Sequence, residues 1–470
     1  MSIQLVIVAV YIALLFGISF YVKSRANKNP MEYLFAGRSL GAVLIGLNIT
    51  GLAVGAASTV GVAESATKVG LAAGWYNGAW AAGAIAMGLF AAGKYRAMGC
   101  STIPELFERS YDKRARLICA ISLAIVLVCI TSLQYVAGGA ILSSLMPDIF
   151  TMKSGMMMSA VVFIGITIVG GLWSSGLSNI LSVTLIYLGI LYSCISVVGD
   201  IGGLDALEAA LPQKNFGWMS PMGGLGLATI MSWMVVMITQ AISGPAVHIA
   251  CSAKDSKTAR NGFLLGGALI FPVGFLSAVL GMAAMVKFPD VVPAMALPKI
   301  IMSLDPFASG ITLAAMWAAD VSTACTILLA AGTLISNDIY KRFFNPEMKE
   351  ESFLRVNHII ILLVGISTLW MAFNAVGIVK TMLMGLSLTA AFTMIFFFTV
   401  LAPDLCRKSS AFYCTLAGLL ALPVWRFVPA MKGIFGELIY FEWAVCLAVF
   451  FVVMAVDKEK ITPPAMNHDE

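Results

Sequence analysis

The chain has 470 residues, 60% of them apolar and only 11% charged, with a mean hydropathy of +0.93 and a formal charge of +5. Soluble globular chains carry about 25% charged residues, so an ordinary water-soluble enzyme, a disordered chain and a coiled coil are all excluded. A spanning helix needs ~20 apolar residues, and the expected fold class is an all-α membrane protein embedded in a lipid bilayer.

Apolar windows predict about 13 transmembrane helices. The first covers 3–22. It lacks a basic leader and a small-residue cleavage site, so it reads as a retained span. The second, 41–66, carries Gly46, Gly51, Gly55 and Gly61, with Ser58-Thr59 near its middle. Helices over 70–93, 116–145, 155–173 and 178–199 follow. The seventh, 224–250, holds Gly244-Pro245 in mid-span. The eighth and ninth cover 261–286 and 308–338. The last four cover 356–375, 378–402, 409–427 and 436–456.

Charge sets the expected orientation. With the N-terminus outside and the C-terminus cytoplasmic, the inner loops receive 21 of the 29 Lys and Arg residues. The positive-inside rule favours that arrangement in a multi-pass cell (cytoplasmic) membrane protein.

Two spans look breakable. Proline removes a donor and clashes with the preceding turn, and glycine weakens a helix. A span that binds a small ion breaks to expose carbonyls at mid-membrane. Close helix packing through Gly51-x-x-x-Gly55 is the competing reading. The two weak spans lie five helices apart. Helices 2–6 (41–200) and 7–11 (201–402) therefore form candidate halves of a five-helix inverted repeat. Segment 1–40 precedes them, with the first helix and an inner loop. Segment 403–470 follows, with two extra helices and a short inner tail.

Polar residues in lipid are the candidate site. Asp320 is the one acidic residue this reading places deep inside a span, where a charge costs at least a few kcal/mol. It serves either a cation or proton, or a structural hydrogen bond. Ala319, Ser322 and Thr323 share one face of the ninth helix by i, i+3, i+4 spacing. Their hydroxyls suit a hard monovalent cation, or bond back to their own helix. Ala53, Ser58, Gln134, Gln240 and Ser243 are candidate solute contacts, with interhelical glue as the alternative. Trp75 and Trp80 read as outer aromatic belt or vestibule, Glu64 as solvated, and His248 as a satisfied inner-end histidine.

Several classes are excluded by what is missing. The nine cysteines have no C-x-x-C spacing and read as small buried hydrophobes. Three scattered histidines offer no metal cluster. No Walker-type loop or catalytic grouping appears, so the chain is not expected to be an ATP-driven pump or an enzyme. Lys254–Arg260 is a positive-inside loop, and no nucleic-acid partner is expected.

Four segments together resemble the sodium:solute symporter family, which includes proline, pantothenate, monocarboxylate and sugar symporters. They are EYLFAGRSLG at Glu32–Gly41, STIPELFERSYDKRAR at Ser101–Arg116, AKDSKTARNG at Ala253–Gly262, and the run from Asp305 to Phe343 that contains ADVSTACT and NDIY. The run Gly55–Thr59 and the KDSK loop look most like the pantothenate and monocarboxylate branch. The resemblance implies a LeuT-type 5+5 inverted repeat with one helix before and two after. It implies a bound sodium ion (Na+) held by carbonyls of Gly51, Val54 and Ala319 and hydroxyls of Ser322 and Thr323. Where many members carry Thr-Asp after GGLW, this chain has Ser178-Asn179. The acidic group is therefore expected to have moved to Asp320, which with Asn179 would serve a second cation or a proton.

The implied function is secondary active, sodium-coupled symport of a small organic solute such as a monocarboxylate, pantothenate or an amino acid, by alternating access. A proton-coupled solute symporter using Asp320 is one rival. A non-transporting membrane solute sensor is another; such proteins append a signalling domain, and only 14 residues follow Val456. The sequence specifies neither solute nor oligomeric state.

Overall fold

The structure, a computed structural model, describes residues 3–26, 29–100, 102–374 and 378–464. Among these, β contact is limited to two isolated bridges, Leu40 with Ala253 and Arg407 with Lys460. The rest is helix, turn and loop. Helices are what the bilayer allows, since backbone in lipid must bond to itself.

The helices that matter here are α1 (Ile3–Ala26), α2 (Ala42–Ala53), α3 (Val62–Val69), α4 (Trp75–Ala86), α5 (Ile103–Ser110) and α6 (Lys113–Leu145). After these come α7 (Met152–Ile201), α8 (Gly226–Ser243), α9 (Ala246–Cys251), α10 (Ser256–Lys287) and α11 (Pro306–Thr333). The chain continues as α12 (Glu350–Ala372), α13 (Ile378–Ser387), α14 (Ala390–Leu401), α15 (Ser410–Phe427) and α16 (Leu438–Val456). Among the described residues, ten helices are long and apolar enough to cross a membrane, or up to eleven if the bent pair Ala42–Ala53 and Ala57–Met98 is one span. The difference from thirteen lies at the front. The described apolar stretch of the first span is Ala9–Lys23, and the second and third predicted spans join in that bent run. The predicted spans 155–173 and 178–199 lie within α7, whose 50 residues hold two apolar stretches, Met152–Val169 and Gly176–Ile201.

Span ends are set by ordinary capping. Asp112, Asp255 and Asp305 each accept a backbone N–H from the first turn of α6, α10 and α11, satisfying donors a helix start leaves free. α11 is the centre of the bundle: 89% of its apolar window is buried, against 33% for α12 and α16. It packs against α7, α6 and α1. α10 lies along α2 through small residues. A Cβ on Gly266 would sit 2.1 Å from Ile49 Cγ2, so only glycine permits that approach.

Three predicted spans are interrupted along their length. α2 ends at Val54 (φ −92°, ψ 70°), and a π-helical turn, Ala57–Gly61, leads into α3 with a bend of 58°. α8 ends at Gly244 (φ −101°, ψ −155°) and restarts as α9 after Pro245. The third break, a turn at Leu388-Thr389 between α13 and α14, was not expected from the sequence.

Some expectations need correction. Asp320 is not the only acidic side chain buried in a span: Glu442 in α16 is equally inaccessible, as is Asp338 at the end of the ninth predicted helix. Trp80 is buried and donates to the Tyr76 hydroxyl, so it is not belt. Trp75 donates to the Pro221 carbonyl at 2.8 Å. His248 is buried and bonded to the Leu34 carbonyl, as a satisfied histidine should be. All nine cysteines are unpaired; eight are buried and Cys129 is half-buried. No cluster of three or more metal-ligating His, Cys, Asp or Glu occurs among the described residues.

Candidate functional site

The site is built where the first break meets α11. The helical ladder of α2 ends with Val54 N–H on the Thr50 carbonyl at 2.8 Å. The next carbonyl in line, Gly51, accepts from two hydroxyls of α11. Thr323 Oγ1 donates to it at 2.6 Å and Ser322 Oγ lies at 3.3 Å. Ser322 Oγ also sits 2.9 Å from the Ala319 carbonyl. Four of the five residues named for sodium thus converge in one cluster of oxygens. Val54 lies on the same break, but none of these α11 hydroxyls is bonded to its carbonyl among the described residues. Ser322 and Thr323 are buried, like nearly every residue of the central helix.

The glycines at the break are required by space. A Cβ on Gly51 would lie 2.4 Å from Asn179 Oδ1. A Cβ on Gly55 would lie 2.6 Å from both Gln134 Oε1 and Thr323 Oγ1. Packing and ion coordination were alternatives for this pair; here the close approach is what brings the carbonyl to the hydroxyls.

Gln134 of α6 accepts from the Ala56 N–H at 2.9 Å. It caps the second half of the broken helix, replacing a bond the break removed. Ser58 is bonded to the Ala53 carbonyl of its own chain. Both side chains are therefore occupied within the fold. Ser243, at the second break, bonds to Thr393 Oγ1 at 2.6 Å and to the Thr389 carbonyl at 3.1 Å. Thr393 in turn donates to the Thr239 carbonyl at 2.6 Å. The second and third breaks are thus tied to each other by hydroxyls. Gln240, one turn above Gly244, is buried with Oε1 unpartnered.

Asn179 lies against Gly51 and donates from Nδ2 to Asn48 Oδ1 at 3.0 Å, leaving its own Oδ1 without a partner. Asp320 is fully buried, and neither carboxyl oxygen has a hydrogen-bond partner among the described residues. No bond joins it to Asn179. Sequence reasoning missed Thr389, Thr393 and Asn48. The Thr389–Thr393 spacing of four in an apolar run was the available signal.

Charge is concentrated at the other end of α11. Its extension carries Asp338 and Arg342. Arg116 bridges Glu108 and Asp338, both at 2.6 Å, and Arg342 also pairs with Glu108. Thr102, the N-cap of α5, donates to Asp338 at 3.0 Å. Burial opposes ionisation of Glu108, but its bonds to Arg342 and Arg116 outweigh it and hold the carboxyl below the usual glutamate range.

The sequence profile of the sodium:solute symporter family matches residues 33–418. The chain belongs to that family. It is 26% identical to the sodium/pantothenate symporter of Escherichia coli over 373 residues, covering 76% of each chain. It is 24% identical to the sodium/proline symporter of the same organism over 437 residues, covering 86% of this chain and 84% of that one. The sodium/glucose cotransporter of Vibrio parahaemolyticus is 25% identical over 406 residues, 75% of this chain and 72% of the relative. Among solved structures, a substrate-bound outward-open Na+-coupled sialic acid symporter superposes with a TM-score of 0.80 at 15% identity, covering 98% of this chain and 99% of that one. Mhp1, a nucleobase-cation-symport-1 family transporter, gives 0.61 at 15% identity over 91% of this chain and 94% of its own. The fold is therefore that of LeuT-like transporters. As a member of the sodium:solute symporter family, the protein is a sodium-coupled symporter of the membrane and not an enzyme.

Proposed function

We propose that this symporter imports a small organic solute with sodium held by the carbonyls of Gly51, Val54 and Ala319 and the hydroxyls of Ser322 and Thr323. The observation that carries this reading is the pair of α11 hydroxyls on the Gly51 carbonyl. Each bond joins a hard neutral oxygen to another. An alkali cation placed among them exchanges those bonds for ion–oxygen contacts, with the hydroxyls turned to offer lone pairs. The ion then ties the broken second helix to α11. Its loss frees the two to part, which is the coupling that alternating access requires. One charge crossing ~100 mV is worth ~2.3 kcal/mol, nearly fiftyfold in solute gradient.

The finer architecture follows the same reading. About thirteen spans run from an outer N-terminus to a cytoplasmic C-terminus. They are organised as two inverted five-helix repeats, 41–200 and 201–402, with one helix before and two after. The solute passes between the breaks. Of the residues suggested for it, Gln240 has an acceptor to spare, whereas Ala53, Ser58, Gln134 and Ser243 are bonded within the fold and would have to exchange those bonds.

Asp320 supports a second coupled charge. A bare carboxylate at that depth is costly, and this one has no partner on either oxygen, so it requires a proton or a cation. Asn179, against Gly51, offers a neutral oxygen on the ion's route.

The test is sodium-dependent thermal stabilisation of the purified protein, repeated with choline replacing sodium and at two pH values. Stabilisation by sodium that vanishes in Ser322→Ala with Thr323→Val supports the assignment. Stabilisation that follows pH alone assigns coupling to the proton.

A further inference from the structure

The spans that carry the second and third breaks, with α16, enclose a cavity of about 300 Å3, the lower end of small-molecule pockets. Trp233 of α8, Leu383 and Ser387 of α13, Trp425 of α15 and Glu437 beside α16 are among its walls. Ser387 stands two residues before Thr389, so the cavity reaches down to the third break.

Its charge is one-sided. Glu437 is half-buried and has no ion pair among the described residues. No described lining residue is basic. Leu438 and Ile439 line the cavity, and Glu442 follows them at i+4 and i+3, one turn deeper on the same face of α16. Glu442 is fully buried. Its Oε1 accepts from Ser387 Oγ at 3.3 Å, and its Oε2 has no partner. Ser387 thus joins the cavity wall to a carboxyl with a vacant acceptor.

We propose that this cavity is an outer subsite for the ammonium group of a cationic or zwitterionic organic solute. An ammonium supplies a charge-assisted donor to Glu437 and to the vacant Oε2 of Glu442. The two indoles add cation–π attraction. An anionic solute meets two acceptors and, among the described lining residues, no basic side chain. Neither α16 nor Glu442 belongs to the break-centred site above. The inference rests on the symport reading only for the direction from which the solute arrives.

The test uses the full-length protein in nanodiscs of uncharged lipid, titrated with phenethylamine and, separately, with phenylpropionate of similar size. Tryptophan fluorescence and the thermal midpoint are read together. Phenethylamine is expected to bind saturably and phenylpropionate not to bind. Glu437→Gln should weaken the amine about tenfold, and Glu442→Gln should weaken it at least as much. Should Glu442→Gln fail to fold, Glu437→Gln at the rim carries the test alone. Equal binding of both probes, or amine affinity unchanged in Glu437→Gln, overturns the proposal. Sodium-dependent thermal stabilisation should be unchanged in Glu437→Gln, which separates failure of this subsite from failure of the sodium assignment.

Discussion

The Thr323 hydroxyl donates to the Gly51 carbonyl at 2.6 Å across 272 positions of chain. The bond joins the broken end of one helix to the central helix of the bundle. A backbone carbonyl is free to receive it because the α2 ladder stops at Val54.

Removing both hydroxyls with Ser322→Ala and Thr323→Val should abolish sodium-dependent uptake while the protein still reaches the membrane. Uptake assayed in sodium and in choline decides it. Full retained sodium dependence refutes the assignment.

Gly51→Ala and Gly55→Ala should each destabilise by about 1–3 kcal/mol, because the new Cβ meets packed polar groups that cannot withdraw. Gly199→Ala, which faces open space, should be neutral or stabilise by about 0.5–1 kcal/mol. Thermal melts of the three variants in one detergent give the comparison. Equal midpoints would mean the break relaxes around a methyl group.

Gln134→Leu should cost about 1–3 kcal/mol by leaving the Ala56 N–H unpaired in an apolar setting. Gln134→Glu keeps an acceptor oxygen but buries a carboxyl, so it should recover part of that loss only at a pH low enough to protonate it. Ranking the two by thermal midpoint tests the capping role.

Asp320→Asn should change the pH or sodium dependence of uptake. An unaltered profile in both would leave the carboxyl a structural role alone.

The ion pairs at the far end of α11 predict an acid-labile contact. The Glu108 carboxyl is held below its ordinary value in the folded protein. Its stabilisation is therefore complete above the unfolded value and is lost as pH falls through the lower folded one. The thermal midpoint should drop across that acidic window. Arg342→Gln should flatten this dependence, and an equally steep profile in the variant would contradict it.

Composition and periodicity made the membrane class legible, since long apolar runs have no other stable use. Gly51, Gly55 and Gly244-Pro245 made two breaks legible, because those residues weaken helices wherever they stand. Leu388-Thr389 carries neither glycine nor proline, and its break was invisible. That turn is fixed by contacts across helices, Thr389 and Thr393 meeting Ser243. Glu442 was overlooked for a related reason: its burial comes from the packing of α16 against α15, α14 and α13, which the local chain does not show.

The sequence by itself determined an all-helical bundle, the family and the residue types of the site, because hydrophobicity, helix-breaking and motif order are properties of local chain. Which carbonyl meets which hydroxyl was decided by tertiary structure alone. Hydrogen bonds and ion contacts act over about 3 Å, and residues 51 and 323 come within that distance only when glycine lets two helices touch.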